Sequence, residues 1–499
     1  MLNKQIKNIL YQIHKISGSF LSLIFVIWFL SGIVLIFDGF PHASRQERFL
    51  HLEEIKPGHL TNLQPPSTDF KGKVKFELCA GRPVYRVFGG KKKQVVYDAA
   101  TLKPVAPYTR EQARKLSESF NGSPIKKIEK NTELDSWMPW SYYKPLLPVY
   151  KCYMDDAKHT VLYVSEVTGT IIQETNRKER WLARIGAIPH WIYFKQLRLM
   201  RDTWRLVVII LSALGLLVSL SGIYVGLIRL RKRKNGLTPY KKRWYKWHHI
   251  AGFCFGIIVF TFLLSGLISV TGVPDWLAGV DSDQKEKINW KQPIHWTNHQ
   301  STTPGDIYHA LQTKTGIRQI EWKTVLGQAQ YHVYYDHYQV PEIYCLKDTA
   351  IIEAVSYSMD EIERKAQMLF PEIPFTIECQ AAYDNYYSAS AMYYLPKPVF
   401  KIKLDDTAQT WLYINPKTGE EVRRVNKNTR LRRWLYRALH TFDFQILKEA
   451  NTIRKSLLVI LSIGGLVVSI SGLILSFKWF RRKCKKGIKH INASLNNKQ

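Results

Sequence analysis

The sequence predicts a membrane protein: a four-helix transmembrane core made by tandem duplication, with two external α+β domains between its spans. Three observations carry that expectation. Four apolar runs, Ile16–Phe37, Trp204–Ile228, Ile250–Val270 and Leu457–Phe477, are each long enough to cross ~30 Å of hydrocarbon at ~1.5 Å per residue. Short motifs recur at two fixed offsets, 234 and 250 residues. Two segments, about 38–203 and 272–453, separate the runs in pairs and are too long and too regularly patterned to be linkers.

From the N-terminus, the first run follows Lys4, Lys7 and Lys15. It is too long for a signal peptide and lacks a small-residue cleavage pattern, so it reads as a retained helix. None of the four runs contains Asp, Glu, Lys or Arg except Arg205, which sits at an end. A mean hydropathy slightly below zero hides this concentration. The expected divisions are 1–37 for an N-terminal segment and first span, 38–203 for an external domain and 204–230 for the second span. A basic loop at 231–247, a third span at 248–271, a second external domain at 272–453, a fourth span at 454–480 and a basic tail at 481–499 complete the chain.

Charge sets the expected orientation. The loop between spans two and three carries Arg229, Arg231, Lys232, Arg233, Lys234, Lys241, Lys242, Arg243 and Lys246 with no acid among them. Lys478, Arg481, Arg482, Lys483, Lys485 and Lys486 follow the fourth span. Basic flanks stay on the cytoplasmic side, so both termini are expected in the cytoplasm and both long segments outside, in a bacterial cytoplasmic (inner) membrane. A formal charge of +32 is also a nucleic-acid signature. Much of the basic excess lies beside membrane spans, however, so nucleic acid is not expected as a partner. The six cysteines make no Cys-x-x-Cys pair. Cys79, Cys152, Cys345 and Cys379 fall in the external segments, where disulfides are permitted, and their spacing assigns no pairing.

The repeats are detailed. Tyr11, His14, Gly18, an apolar run and Ser31-Gly32 recur 234 residues later as Tyr245, His248, Gly252, an apolar run and Ser265-Gly266. At an offset of 250, Gly215-Leu216 matches Gly465-Leu466, Ser221-Gly222 matches Ser471-Gly472, and His190 matches His440. The same offset joins Asp155-Asp156 to Asp405-Asp406 and Thr168-Gly169 to Thr418-Gly419. In the external segments, Val84–Phe88 and Gln94–Asp98 alternate around Gly89-Gly90 as a hairpin. Val149–Met154 with Thr160–Val164, and Val399–Leu404 with Thr410–Ile414, form two more. Thr109–Phe120 and Ser358–Leu369 read as amphipathic helices.

A histidine at the same depth of two repeated membrane helices points to haem, because haem b engaged in electron transfer needs axial nitrogens held on rigid helices. His14 and His248 begin separate spans and are the expected inner pair of haem-iron ligands. His190 and His440, each 31 residues before a Ser-Gly pair, are the expected outer pair. Gly18, Gly252, Gly215 and Gly465 leave room for close helix approach or for a flat macrocycle. The bland alternative is an interfacial polar imidazole satisfied by water, and His42, His295 and His299 lie close enough in sequence to substitute. Two aromatic clusters, Trp137, Trp140, Tyr142 and Tyr143, and Tyr383, Tyr386, Tyr387, Tyr393 and Tyr394, suit either a ligand platform or strand core and membrane belt. The paired aspartates suit hairpin turns without metal. No nucleotide fingerprint is present, so reducing equivalents are expected from a cytoplasmic flavoprotein or a quinol.

His14, His248, the internal Ser-Gly pairs and the units ending Tyr163…Thr168-Gly169 and Tyr413…Thr418-Gly419 resemble the PepSY-associated transmembrane helix family. Its members include iron-regulated membrane proteins and ferric-siderophore reductases. The resemblance covers nearly the whole chain and implies PepSY-like external domains and two b haems held by His14, His248, His190 and His440. It implies a haem-dependent reductase passing electrons to an external ferric siderophore or other ferric chelate and releasing ferrous iron for uptake. The family's helices usually start His-Arg. Here Lys15 and His249 follow the histidines, which makes His249 an alternate ligand. The same layout also suits a non-catalytic anchor that binds peptides or regulates a protease, or a siderophore or iron transport component. No catalytic residue is assigned by the sequence.

Overall fold

The computed structural model describes residues 4–89, 94–231, 237–281, 287–311, 314–388 and 394–496. Gly90 of the first hairpin, Tyr393, and Lys232, Arg233 and Lys234 lie outside the described residues. The chain divides into two units: 1–40, 181–278 and 429–499 form a helical unit, and 41–180 with 279–428 form a sheet unit.

In the helical unit four helices are long and apolar enough to cross a membrane: Gln5–Leu35, Arg201–Leu230, Arg243–Thr271 and Asn451–Lys485. They are spans 1 to 4 below. Adjacent spans pack side by side, 1 on 2, 2 on 3, 3 on 4 and 4 on 1, closing a ring. Small residues set the approach. A Cβ on Gly215 would stand 3.1 Å from Leu263 and 3.2 Å from Phe25, while Gly464 and Gly465 press against the rings of Phe255 and Phe29. Leu21, Phe25, Phe29, Val218, Val259 and Leu263 fill the middle. Phe20, Leu206, Ile257 and Ile460 are each more than half exposed, and in a membrane protein these side chains meet lipid. Gly272, at φ +76°, closes span 3 by donating to the Ile268 carbonyl, in a positive-φ conformation that a Cβ disfavours.

Short helices precede spans 2 and 4 and belong to this unit: Ala187–Trp191 and Lys195–Leu199 before the one, Leu439–Thr441 and Gln445–Glu449 before the other. The helical unit therefore begins near residue 181 and again near 429, earlier than the apolar runs at 204 and 454 indicate. These helices are short and interrupted by charge, so hydropathy alone does not register them.

The sheet unit contains fifteen named strands among its described residues. From the first long segment come β1 (Lys73–Cys79), β2 (Arg82–Phe88), β3 (Gln94–Asp98), β4 (Ile125–Asn131), β5 (Val149–Met154), β6 (Val161–Ser165) and β7 (Ile171–Thr175). From the second come β8 (Gln319–Val325), β9 (Gln328–Tyr334), β10 (Glu342–Lys347), β11 (Ala350–Glu353), β12 (Phe375–Gln380), β13 (Val399–Leu404), β14 (Trp411–Ile414) and β15 (Glu421–Val425). The order β11-β10-β9-β8-β1-β2-β3 makes one antiparallel sheet drawn from both segments. Antiparallel pairing of β1 with β8 sets Lys75 opposite Glu321 and Phe76 opposite Ile320. The two segments thus share a sheet and form one compact unit, where the sequence suggested a separate domain for each. Local patterning reports each strand, but not which strand lies beside it.

Two four-stranded sheets, β4-β5-β6-β7 and β12-β13-β14-β15, complete the unit. The helix Arg110–Asn121, capped by Thr109 and Gln112, covers the first. Met359–Leu369, capped by Ser358 and Glu361, covers the second. The expected hairpins are found, and their aspartates serve the turns: Asp156 accepts from Thr160 N at 2.7 Å and Oγ1 at 2.6 Å, and Asp406 accepts from Thr410 Oγ1 at 2.7 Å. Tyr387 and Tyr413 stack at 4.7 Å inside a buried cluster, and Trp140 stacks on Tyr142 at 5.8 Å. The six cysteines are free thiols.

Strand alternation gives the seven-stranded sheet one apolar and one polar face. Val74, Phe76, Ile320, Trp322, Tyr331 and Val333 line the apolar core. On the other face Glu77 pairs with Arg86 at 2.6 Å, and Glu321 meets Lys73 at 2.8 Å, Lys323 at 3.3 Å and Lys75 at 3.8 Å. Burial opposes the Glu321 charge, but the three lysines outweigh it and hold the carboxyl well below the usual carboxylate range. Glu321→Gln removes the carboxylate that the three lysines share and leaves Glu420, 2.5 Å from Lys323, as the remaining close counter-charge. It is expected to destabilise the sheet unit by ~3 kcal/mol, read as an earlier unfolding transition of the full chain in detergent. An unchanged transition would show that the lysines simply turn to water.

Candidate cofactor-binding site

Four imidazoles meet in two pairs. His14, one-third of the way along span 1, faces His248 near the start of span 3, with ring centroids 6.1 Å apart and planes 34° apart. Spans 1 and 3 lie across the ring from each other, so the pair bridges its interior. His190 and His440, on the short helices before spans 2 and 4, also face each other at 6.1 Å, with planes 61° apart. Each of these short helices ends in a residue at positive φ, Ile192 at 55° and Phe442 at 50°. The chain turns there and runs on into the spanning helix.

The hydrogen bonds define the ring tautomers. His14 Nδ1 lies 3.0 Å from the Val218 carbonyl, and His190 Nδ1 lies 3.1 Å from the Trp28 carbonyl. A carbonyl only accepts, so both Nδ1 atoms carry the proton. His248 Nδ1 is 3.0 Å from Ser471 Oγ and His440 Nδ1 is 2.9 Å from Ser265 Oγ. Those hydroxyls spend their own protons on the Val468 and Thr261 carbonyls, so they accept as well. In all four rings the lone pair is left on Nε2, to which no hydrogen bond is made among the described residues. A neutral imidazole anchored through Nδ1–H, with Nε2 unengaged, is the form that ligates a metal.

The four Ser-Gly pairs seat these rings, one pair to each ring. Gly222 lies under His14, and a Cβ there would come within 2.6 Å of His14 Cε1. Gly32 lies under His190 at 3.3 Å, Gly472 under His248 at 3.4 Å and Gly266 under His440 at 3.9 Å. Beside Gly32 and Gly266, Ser31 and Ser265 face the same imidazoles at 3.3 and 2.9 Å. The Ser-Gly repeats are visible in the sequence, but their role as seats is not. The signal was their number, one pair in each span for one candidate histidine.

His249 is differently placed. Its Nε2 donates to the Gly226 carbonyl at 3.1 Å and its ring packs on Tyr240 at 5.5 Å, so that nitrogen is committed to the end of span 2. His299, His295 and His42 belong to the sheet unit, where His299 is buried against Trp296 and Tyr331. No cluster of three or more His, Cys, Asp and Glu side chains suited to a metal ion occurs among the described residues.

The residues fit a haem held by two histidines. Metal–imidazole bonds are ~2.0–2.1 Å, so two imidazoles on opposite sides of one iron keep their ring centroids about 6 Å apart. Both pairs have that spacing, and Gly252, one turn beyond His248, opens on space in which a Cβ would meet nothing within 4 Å.

Four spanning helices and antiparallel sheets define a membrane protein with β-rich parts, in contact with the lipid bilayer. The chain belongs to the family described as the PepSY-associated TM region, whose model matches residues 11–357. No curated protein and no solved structure matches it.

Proposed function

We propose that this protein is a two-haem oxidoreductase of the bacterial cytoplasmic membrane that carries electrons from a cytoplasmic flavoprotein or quinol to an external ferric siderophore or other ferric chelate. The observation that carries the proposal is the pairing of four anchored imidazoles, two by two, at one ring spacing. His14 and Gly32, on which His190 rests, are 18 residues apart on one helix. That separation is about 27 Å, close to the ~30 Å of the hydrocarbon layer. The pairs therefore belong near opposite faces of the membrane. The basic flanks Lys7, Lys15, Arg229, Arg231, Lys241 to Arg243 and Lys478 support a cytoplasmic side for the His14/His248 pair. Recurrence of strands, helix caps and the His190/His440 pair at offsets of 246 to 250 residues, and of His14/His248 at 234, supports a tandem duplication with a PepSY-like half in each long segment.

Haem supplies reversible one-electron exchange at its iron. The chain's part is to hold and insulate. His14, His248, His190 and His440 present Nε2, while Ser31, Ser265, Ser471 and the carbonyls of Val218 and Trp28 fix the ring planes. Phe25, Phe29, Val259 and Leu263 fill the space between the two pairs and exclude water from it. Each ferric ion takes one electron, and the ferrous product is held weakly by ferric-selective chelators.

The test is direct. Full-length protein produced with ample haem is expected to give about two b haems per chain by pyridine haemochrome. After chemical reduction, its spectrum is expected to reoxidise when a ferric siderophore is offered at the outer face of oriented vesicles. Absence of a Soret band overturns the proposal in favour of a peptide-binding anchor. A reduced spectrum that ferric chelates leave unchanged, but a quinone reoxidises, overturns the substrate alone.

A further inference from the structure

Between His190 and span 2, the helix Lys195–Leu199 carries a cation without a counter-charge. Arg198 is only 9% exposed. Its guanidinium lies between the rings of Tyr193 and Trp204, 4.9 and 4.6 Å from their centroids. Trp204 is itself fixed, because its Nε1 donates to the Trp191 carbonyl at 2.8 Å. Arg198 Nε is enclosed and meets no acceptor, and no carboxylate pairs with the guanidinium among the described residues.

The second half of the chain shows what is missing. At an offset of 250, Lys448 stands for Arg198, Asp443 for Tyr193, Arg454 for Trp204 and Thr441 for Trp191. The local build is the same: Arg454 Nη1 donates to the Thr441 carbonyl at 3.0 Å, just as Trp204 donates to Trp191. There the cation is neutralised internally, with Lys448 Nζ 2.6 Å from Asp443 Oδ1. In the first half the acid is replaced by a phenol ring. Aromatic faces hold a guanidinium in plane but accept none of its hydrogen bonds in the way an oxygen does. A packing brace needs no more than that stacking, yet an enclosed cation with an unmet donor is costly unless an anion arrives.

We propose that Arg198 is an oxyanion receptor, taking a carboxylate or phosphate at the end of the bundle that carries His190 and His440. The forked N–H groups of arginine match either anion with two parallel hydrogen bonds. Two sources present that chemistry. One is a phospholipid headgroup, since Trp191, Tyr193 and Trp204 are residue types of the membrane–water boundary. The other is a haem propionate, and this source rests on the proposed function.

Native mass spectrometry of the full chain in detergent, titrated with dioctanoyl phosphatidylglycerol, reads the first source. Arg198→Gln is expected to weaken the tightest lipid adduct by at least ~10-fold, while Lys448→Gln leaves it unchanged. Redox titration reads the second: an unchanged adduct with a displaced midpoint potential for the haem of the His190/His440 pair assigns the propionate. Either result supports the receptor. If Arg198→Gln does not fold, Arg198→Lys, which keeps the charge but loses the fork, is read in the same way. The proposal is overturned if a folded variant moves neither readout, or if Lys448→Gln moves them equally. A chain that takes up no haem ends the functional proposal, and the lipid titration then decides this one alone.

Discussion

Replacing His14 or His248 by Ala is expected to remove the same haem in both variants, lowering the content from about two per chain to about one. The two rings face each other across spans 1 and 3 at 6.1 Å, each with Nδ1–H anchored to a neighbouring span. If the pair holds one haem, as proposed, removing either imidazole would leave the other to hold it alone. The His190/His440 pair is seated on different residues, Trp28 and Ser31 for the one and Ser265 for the other, and should keep its haem. Haemochrome content and the low-temperature α-band of each variant check this. Loss of different haems from the two variants would break the pairing. So would retention of both while His249→Ala removes one, although His249 Nε2 is bound to the Gly226 carbonyl.

Gly222→Ala is expected to mimic His14→Ala without touching a histidine, whereas Gly266→Ala leaves both haems in place. The added methyl at Gly222 would fall 2.6 Å from His14 Cε1 and 2.8 Å from Nδ1. Both distances are inside van der Waals contact, so the ring must leave its seat and with it the bond to Val218 O. At Gly266 the nearest atom, His440 Cε1, is 3.9 Å away, an ordinary contact. Alanine also favours the helix over glycine by ~1 kcal/mol at either site, so loss of helix stability cannot explain a difference. Equal haem content in the two variants would show that the ring at His14 has room to slide and that Gly222 is not its seat.

Several parts of this molecule were legible in residue order because they rest on local physics. Apolar runs without charge mark the spans, since hydrocarbon excludes charged groups wherever the run lies in the chain. Thr109 with Gln112, and Ser358 with Glu361, mark helix starts because capping acts across three residues. The recurring motifs singled out His14 with His248 and His190 with His440, since a fixed spacing is read directly from residue order. Other parts were not legible. Residue order does not report that Lys75 and Glu77 line an enclosed polar face, because β1 is completed by β8 from the second long segment.

By itself, then, the sequence determined the four spans, the strand and helix patterning of the long segments and the identity of the candidate histidines. Each depends on composition and spacing within one turn or one run. Only the tertiary structure decided that the two long segments share one sheet, that His249 is tied to Gly226, and that every Ser-Gly pair is a seat for an imidazole. Those facts depend on which residues from distant positions share a few ångströms of space. A glycine contributes nothing to a hydropathy pattern, and its meaning at Gly222 comes from the ring of a residue 208 positions earlier.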